Sequence, residues 1–238
     1  MLVATGVYKA RDISAPGTGM GGIVPALDYL TASNRKSLGD EVVDFGSGLL
    51  NAEGRDVVVI GGGDTAMDCV RTAIRQKANS VTCLYRRDRA NMPGSQREVA
   101  NAEEEGVDFR WLSAPQAFLG DNYVRAVQAQ KIHLGQPDAT GRQVPQIIED
   151  SSHEIPADLV IKALGFDPED IPTMFGTPEL EVSKWGTIGV DWRTMMTNLP
   201  GVFAAGDIVR GASLVVWGVR DGRDAAESIH SYVMAQSE

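Results

Sequence analysis

Three small residues after an apolar run could bind a pyrophosphate. Residues 57–66 read VVVIGGGDTA, in which Gly61, Gly63 and Ala66 match the pattern G-x-G-x-x-G/A. In this pattern the first glycine allows a tight turn, the second lets a pyrophosphate approach the backbone, and the third small residue lets a helix pack against a strand. The start of the helix adds free N–H groups and a partial positive charge. The spacing therefore predicts a nucleotide site.

Two positive charges follow the next predicted strand, where an NAD site has an acidic residue. Such a site places Asp or Glu about 20 residues beyond the glycines, where it binds the ribose 2′-hydroxyl. This sequence has Arg86 and Arg87 there instead. A guanidinium group matches a 2′-phosphate in shape and charge, so the pair favours NADPH. Asp88 leaves an alternative open, in which its carboxylate binds the ribose of NADH and the arginines are solvated.

A second nucleotide motif lies near the C-terminus. In flavoproteins that bind two dinucleotides, a T-x-x-x-x-V-F/Y-A-x-G-D segment carries the aspartate that bonds the flavin ribityl chain. The chain resembles this segment at Thr197, Val202, Phe203, Ala204, Gly206 and Asp207. Segments 2–6 (LVATG) and 159–165 (LVIKALG) resemble strands of the same class that end in glycine beside a dinucleotide. They add three candidate residues, Thr5, Gly6 and Gly165.

The elements that must position these residues alternate along residues 56–112. A β-branched run at 56–60 is typical of a parallel strand buried on both faces, and the residues after it have apolar side chains at helical spacing. Asp64 or Thr65 could cap that helix. The rhythm strand, helix, strand, helix, strand predicts an α/β fold with a doubly wound, Rossmann-like parallel sheet.

Residues 123–163 break this rhythm. Short strands separated by turns such as 137–142 predict an antiparallel excursion. A buried strand then returns at 158–165, another ends in Gly-Asp at 201–207, and a helix runs from Ala212 to about Met234.

Composition excludes several kinds of partner and site. A net charge of −10 disfavours binding to nucleic acid or to an anionic membrane surface. Cys69 and Cys83 are the only cysteines, so the chain itself should hold no iron–sulfur cluster. No apolar run is long enough to span a bilayer, and the N-terminus does not resemble a signal peptide. We therefore expect a cytoplasmic protein without membrane or nucleic-acid partners.

Four segments together resemble the C-terminal half of the small (β) subunit of NADPH-dependent glutamate synthase. They are residues 61–76, 84–107, 163–166 and 201–226. The resemblance covers essentially the whole chain, and it extends more distantly to adrenodoxin reductase, the flavin region of dihydropyrimidine dehydrogenase and bifurcating NADPH–ferredoxin oxidoreductases.

The subunits of that family are much longer than this chain. Their N-terminal half carries cysteine-rich iron–sulfur motifs and the first, FAD-binding glycine turn. This sequence begins directly with a predicted buried strand, so we expect that half to lie outside it. The resemblance then implies that residues 1–20 and 166–238 belong to a partial FAD-binding domain and that residues 21–165 form an inserted NADPH-binding domain.

The resemblance also implies roles for single residues. Four of them would hold the NADPH pyrophosphate: Gly61, Gly63, Asp64 and Thr65. Arg86 and Arg87 would hold its 2′-phosphate. Glu98 would lie near the adenosine ribose, although an exposed helix carboxylate is an alternative. Asp207 would face the flavin together with three backbone amides, those of Leu214, Val215 and Val216. Trp217 is interpreted as a packing residue.

The implied chemistry is hydride transfer from NADPH to FAD, which needs no catalytic side chain because the flavin supplies the reactivity. Family members pass the electrons through iron–sulfur clusters to a large (α) subunit that makes glutamate from glutamine and 2-oxoglutarate. Two alternatives stay open. The chain could be a flavin reductase module that serves ferredoxin or a dehydrogenase subunit, or an inactive, truncated NADPH-binding fragment. A homodimer that covers an exposed sheet edge is also expected.

Overall fold

A computed structural model describes residues 1–137 and 143–236. Its strands, in chain order, are β1 (Leu2–Val3), β2 (Lys9–Ala10), β3 (Ile23–Pro25), β4 (Asp56–Ile60), β5 (Ser80–Leu84), β6 (Asp108–Arg110), β7 (Ser113–Gly120), β8 (Val124–Pro137), β9 (Gln143–Ile147), β10 (His153–Pro156), β11 (Leu159–Lys162), β12 (Phe166–Asp167) and β13 (Phe203–Ala204). Its helices are α1 (Ala26–Ser37), α2 (Val43–Gly46), α3 (Asp64–Arg75), α4 (Gln96–Glu104), α5 (Ile171–Met174), α6 (Asp207–Arg210) and α7 (Val215–Ala235).

The chain forms two compact units. The first unit combines Met1–Arg11 with Gly165–Glu238, and the second is Asp12–Leu164. The sequence placed the first boundary after residue 20, nine residues later. Residues 12–20 lie with the second unit because Ile13 and Ala15 pack against one of its hydrophobic clusters. The N–H of Phe118 also donates to the carbonyl of Pro16 at 2.8 Å.

A five-stranded parallel sheet in the order β3-β11-β4-β5-β6 organises the second unit. The alternation predicted for residues 56–112 is confirmed: β4, α3, β5, α4 and β6 follow one another, and β4–β5 and β5–β6 are parallel pairs. β11 returns from later in the chain to pair with β4 on one side and β3 on the other.

The two faces of this sheet are covered differently. Val57 and Val59 point into a core shared with α1, α3 and α4. Val58 and Ile60 point to the opposite face, where they pack against residues of the antiparallel strands. Alternate side chains of β4 are therefore buried in two different hydrophobic cores, one on each face of the sheet. The α/β fold is confirmed, but the layer opposite the helices is a β-sheet, which the expectation of a doubly wound sheet did not include.

That antiparallel layer has the order β10-β8-β7, with β9 paired to β8. It confirms the predicted excursion and begins ten residues before 123, at Ser113. Of the turn predicted at 137–142, residues 138–142 lie outside the part of the chain that the structure describes.

The first unit contains two small sheets and the long helix α7. β1 pairs with β13 in parallel, and β2 pairs with β12 antiparallel. Ile171, Ile188 and Ile208 are at most 2% exposed and belong to one apolar cluster of this unit. Over the two described ranges, no helix has both the length and the apolar character that crossing a bilayer requires.

Candidate functional site

The turn between β4 and α3 can be made only by glycine at its first position. Gly61 has a φ of +149°, which side chains rarely adopt. A Cβ atom on Gly61 would lie 2.2 Å from the carbonyl oxygen of Ala163, directly after β11. A Cβ atom on Gly62 would lie 2.4 Å from the ring of Tyr85. The backbone therefore crosses the carboxyl ends of the neighbouring strands at close contact.

Gly63 is different, because the protein itself does not require a glycine there. Its φ of −92° and ψ of 178° suit any residue, and a Cβ atom on it would meet no heavy atom within 4 Å. Space next to the backbone at this position is what close approach by a pyrophosphate demands. Among the described residues, no acceptor bonds the backbone N–H groups of Asp64 and Thr65, which open α3.

The side chains of the first helical turn do not cap α3. Gly63 is the N-cap residue, and no side chain accepts from the free N–H groups, so the prediction that Asp64 or Thr65 caps the helix is wrong. Asp64 Oδ1 instead accepts the backbone N–H of Ser95 at 3.1 Å. The helix N-terminus thus keeps its amide donors and its partial positive charge for an external anion.

The glycine turn and the arginine pair lie at one edge of the parallel sheet. Ile60 and Leu84 are opposite each other in the β4–β5 ladder, so the residues that follow them leave the sheet together. Arg86 is exposed and Arg87 half-buried. Within residues 1–137 and 143–236, neither guanidinium forms an ion pair or a side-chain hydrogen bond. Both are therefore free to bind a phosphate group.

Asp88, which in the alternative interpretation binds the ribose of NADH, forms hydrogen bonds within its own turn. Its Oδ1 accepts both the backbone N–H and the side-chain amide of Asn91, each at 2.8 Å. This is a turn-forming arrangement that aspartate often adopts. It leaves one carboxylate oxygen of Asp88 without such a bond, whereas Arg86 and Arg87 have no side-chain partner among the described residues.

Glu98 lies at the contact between α3 and α4. It forms an ion pair with Arg71, and the same guanidinium donates to Glu105 at 2.9 and 2.7 Å. These hydrogen bonds hold the pKa of the Glu105 carboxyl below its usual range. Glu98 is therefore tied to the helix pair, and its place near an adenosine ribose stays a prediction.

A second stretch with the letters G-x-G-x-x-G, at residues 17–22, has another environment. It leads into β3 rather than into a helix. A Cβ atom on Gly17 would lie 2.3 Å from the carbonyl oxygen of Phe118, and one on Gly22 would lie 2.9 Å from that of Asp158. These glycines allow close packing of strands and present no helix N-terminus.

In the first unit, two parallel strands bring four of the predicted cofactor-binding residues together. Val3 lies opposite Ala204 in the β1–β13 ladder. The residues after each strand therefore leave the sheet at the same edge; they are Thr5, Gly6, Gly206 and Asp207. Gly6 and Gly206 have φ of 75° and 77°, in the region that favours glycine. A Cβ atom on Gly206 would meet no heavy atom within 4 Å.

The remaining cofactor-binding candidates lie at the start of α7 and before β12. Leu214, Val215 and Val216 are 61%, 79% and 62% exposed, and no side chain caps the helix they begin. Asp207 Oδ1 accepts the hydroxyl of Ser213 at 2.9 Å. Gly165 has a φ of 87°, and its carbonyl accepts the N–H of Arg11 at 3.0 Å.

Sequence reasoning missed an ion pair that supports the Gly206–Asp207 turn. Arg210 donates through two nitrogens to Asp221, each bond 2.6 Å long, and Asp221 is 1% exposed. The guanidinium also lies 4.7 Å from the ring centre of Trp192 and 4.9 Å from that of Trp217. The sequence contained one signal for this pair: Asp221 lies one helical turn before Ala225, on the same buried face of α7.

Replacing Asp221 with alanine is expected to lower the free energy of unfolding by about 2 kcal/mol, because hydrogen bonds to charged groups contribute about 1.5–3 kcal/mol. Urea denaturation measures this loss. The matched control is Asp224→Ala, since Asp224 pairs with Arg220 at 3.6 Å in an exposed position. That variant should differ from the unmutated chain by less than about 0.5 kcal/mol. Equal losses from both substitutions would contradict the assignment.

The same pair predicts a pH dependence. Hydrogen bonds from Arg210, and then a backbone bond from Gly206, hold the pKa of the Asp221 carboxyl below its usual 3.8. Because the folded pKa is the lower one, the contribution is complete above about pH 4 and is lost as the pH falls through the folded value. The unfolding free energies of the unmutated chain and Asp221→Ala should therefore converge in acid. A constant difference down to about pH 3 would contradict this.

Both cysteines are buried, and burial raises the pKa of each thiol, that of Cys83 to about 12. The Cys83 thiol lies 3.4 Å from the carbonyl oxygen of Gly61, directly behind the glycine turn. Protonated, enclosed thiols of this kind serve packing rather than redox or metal chemistry.

Known proteins resemble the chain along its length. The glutamate synthase [NADPH] small chain of Azospirillum brasilense is 70% identical over 238 residues, which are 100% of this chain and 49% of that protein. A putative glutamate synthase [NADPH] small chain of Cereibacter sphaeroides is 68% identical, over 98% of this chain and 56% of that protein. These identities confirm the resemblance seen in the motifs, and the chain spans about half the length of these relatives.

The fold has solved counterparts. Mycobacterium tuberculosis FprA, in a complex with NADPH, matches with a TM-score of 0.73 at 17% identity, over 99% of this chain and 64% of that one. The model of the family described as pyridine nucleotide-disulphide oxidoreductase matches residues 1–237. With its glycine turn, its parallel sheet and its Gly-Asp strand end in place, the chain belongs to the pyridine nucleotide-disulphide oxidoreductase family.

Proposed function

We propose that this chain is the NADPH-binding half of a glutamate synthase small subunit, which carries electrons from NADPH through a flavin towards glutamate formation. The observation that carries the nucleotide part is that the glycine turn and two arginines, which have no side-chain partner in the described part of the chain, follow the ends of adjacent strands. The 70% identity to a glutamate synthase [NADPH] small chain supports the rest.

The nucleotide would be held by backbone and by charge. The free N–H groups of Asp64 and Thr65 would donate to the pyrophosphate beside Gly63, where a side chain would obstruct it. Arg86 and Arg87 would bond the 2′-phosphate, whose charge-assisted hydrogen bonds a ribose hydroxyl cannot replace. In this arrangement the glycine turn would provide affinity for the nucleotide, and the two arginines would select NADPH over NADH.

The first unit offers groups that fit a flavin. The open side of Gly206 lets a ligand approach the backbone, and the carboxylate of Asp207 can accept a hydrogen bond from a ribityl hydroxyl. Uncapped amides at the start of α7 can donate to a polar ring edge. FAD would supply the redox chemistry that takes up the hydride of NADPH, and these residues would orient it.

A chimaera tests whether the electrons pass to the glutamate-forming large subunit. The matching half of the Azospirillum brasilense small chain is replaced by these 238 residues, and the product is combined with that enzyme's large subunit. We expect NADPH-dependent glutamate formation from glutamine and 2-oxoglutarate, with iron–sulfur clusters held by the retained N-terminal half. A chimaera that binds both cofactors and reduces a dye but makes no glutamate would favour another acceptor.

The edge strand β1 of the β1–β13 sheet supports a proposal on self-association of the chain. Among the described residues β1 pairs only with β13, so its other edge is unpaired, and Leu2 on it is 45% exposed. Unpaired edges invite pairing with another strand. We propose that the isolated chain forms a homodimer through this edge, and that the rest of the small subunit covers it in a complete enzyme.

The isolated chain is expected to purify colourless, because Asp207 and the start of α7 supply only part of a flavin pocket. FAD binding should be weak or absent, and NADPH should not be oxidised with a dye acceptor until the other half of the subunit is supplied. An absorption spectrum and a dye-reduction assay measure both. A stoichiometric flavin band with turnover in the isolated chain would show that its pocket is sufficient.

A further inference from the structure

The segment from residue 88 to residue 95, here the 88–95 segment, follows the arginine pair and then crosses the glycine turn. The N–H of Gly94 donates to the carbonyl of Gly62 at 3.0 Å. The N–H of Ser95 donates to Oδ1 of Asp64 at 3.1 Å. Two consecutive amides of the segment are therefore bonded, one to the glycine turn and the other to the first residue of α3.

The fit at this crossing is close. A Cβ atom on Gly94 would lie 3.1 Å from the carbonyl oxygen of Gly62 and 3.4 Å from the carbonyl carbon of Gly63. The rest of the segment is held as well: Met92 is 6% exposed in the core, and Arg89 bonds Glu103 of α4 at 2.8 and 2.9 Å. The segment is a defined structure, anchored to α4 at one side and to the glycine turn at the other.

Asp64 is an unexpected residue for a phosphate site, because a carboxylate repels a pyrophosphate. Its side chain forms no ion pair with any residue in the described ranges, and its bond to the Ser95 amide is the interaction the structure assigns to it. A carboxylate in a first helical turn also interacts favourably with the helix dipole, which is the competing explanation.

We propose that Asp64 is a positioning residue, whose carboxylate holds the Ser95 amide and so fixes the 88–95 segment against the glycine turn. This inference rests on the proposed NADPH site. Asp88 follows Arg87 directly in the sequence. A segment that is held in place therefore keeps the arginine pair at the sheet edge where the glycine turn presents its backbone N–H groups. Loss of the bond leaves the arginines present but less well placed.

The chain offers two independent ways to remove this hydrogen bond. Asp64→Ala removes the acceptor, whereas Asp64→Asn keeps an oxygen in the same place. Ser95→Pro removes the donor at a residue whose φ of −59° already suits proline. Ser95→Ala is its matched partner, since it keeps the N–H and loses a hydroxyl that does not cap α4.

Calorimetric titration with NADPH tests the proposal on the purified chain. We expect Asp64→Ala to weaken NADPH binding about fivefold and Ser95→Pro to weaken it similarly relative to Ser95→Ala. The variant with both changes should bind no more weakly than either alone, because both remove the same bond. Asp64→Asn should bind at least as tightly as the unmutated chain, because it keeps the acceptor oxygen and removes the repelling charge, whereas a helix-dipole role predicts that it behaves like Asp64→Ala.

Hydrogen exchange of the Ser95 amide, measured without nucleotide, separates this proposal from the proposed function. Protection should be lost in Asp64→Ala and kept in Asp64→Asn. If the unmutated chain binds no NADPH, the proposed function fails while the exchange result still reports the bond. Unchanged NADPH affinity in Asp64→Ala, additive losses in the double variant, or unchanged Ser95 exchange would each overturn the proposal.

Discussion

Replacing Arg86 and Arg87 together with alanine is expected to remove a preference for NADPH over NADH of at least about tenfold. Each charge-assisted bond to a phosphate contributes about 1.5–3 kcal/mol, and one of these already corresponds to that ratio. The two guanidinium groups have no other partner among the residues that the structure describes, so their loss should not disturb the fold. Calorimetric dissociation constants for both nucleotides measure the effect.

NADH binding should change little in this double variant, because the ribose hydroxyl makes no use of the guanidinium charge. Arg125→Ala is a suitable control, since it removes an exposed positive charge from β8 and should leave the ratio of the two constants unchanged. If the double variant kept the preference, and Asp88→Asn weakened NADH binding, Asp88 would be the residue that selects the nucleotide.

Gly61→Ala is expected to lower the free energy of unfolding by about 3 kcal/mol or more. The new Cβ atom would lie 2.2 Å from the carbonyl oxygen of Ala163, and the φ of +149° is unfavourable for alanine. Backbone strain of this kind costs about 1–3 kcal/mol, and overpacking adds a similar amount. Urea denaturation of the variant measures the loss.

Gly63→Ala is the matched substitution two residues later. Its Cβ atom meets nothing within 4 Å, and the local backbone suits alanine, so stability should fall by no more than about 1 kcal/mol, the difference between the two residues at an N-cap. NADPH binding should nevertheless weaken at least about tenfold, because the added methyl group occupies the path of the pyrophosphate. A stable Gly63→Ala chain that binds NADPH normally would contradict the placement of the pyrophosphate.

The parallel sheet and the glycine turn were predictable because their signals are local. A β-branched run, a glycine turn and an amphipathic helix fall within residues 56–75, and each reports its own backbone geometry. The free arginines after β5 were identified for the same reason, since their role depends on their place at a strand end. Only the structure shows that their side chains have no partner within residues 1–137 and 143–236.

The contacts that escaped prediction join residues far apart in the chain. Asp64 and Ser95 are separated by 31 positions, and neither residue type indicates the other. Arg210 and Asp221 are separated by 11, across the loop between α6 and α7. The antiparallel strands were predicted, but their position opposite the helices was missed, because Val58 and Ile60 would be equally apolar beneath helices or strands. Residue type specifies burial here, and only the tertiary fold specifies the neighbour.

The most direct test of the central claim is a pair of calorimetric titrations of the unmutated chain, one with NADPH and one with NADH. If the glycine turn holds the pyrophosphate and Arg86 and Arg87 hold the 2′-phosphate, NADPH will bind at least about tenfold more tightly. Equal dissociation constants, or no binding of either nucleotide, would contradict the account.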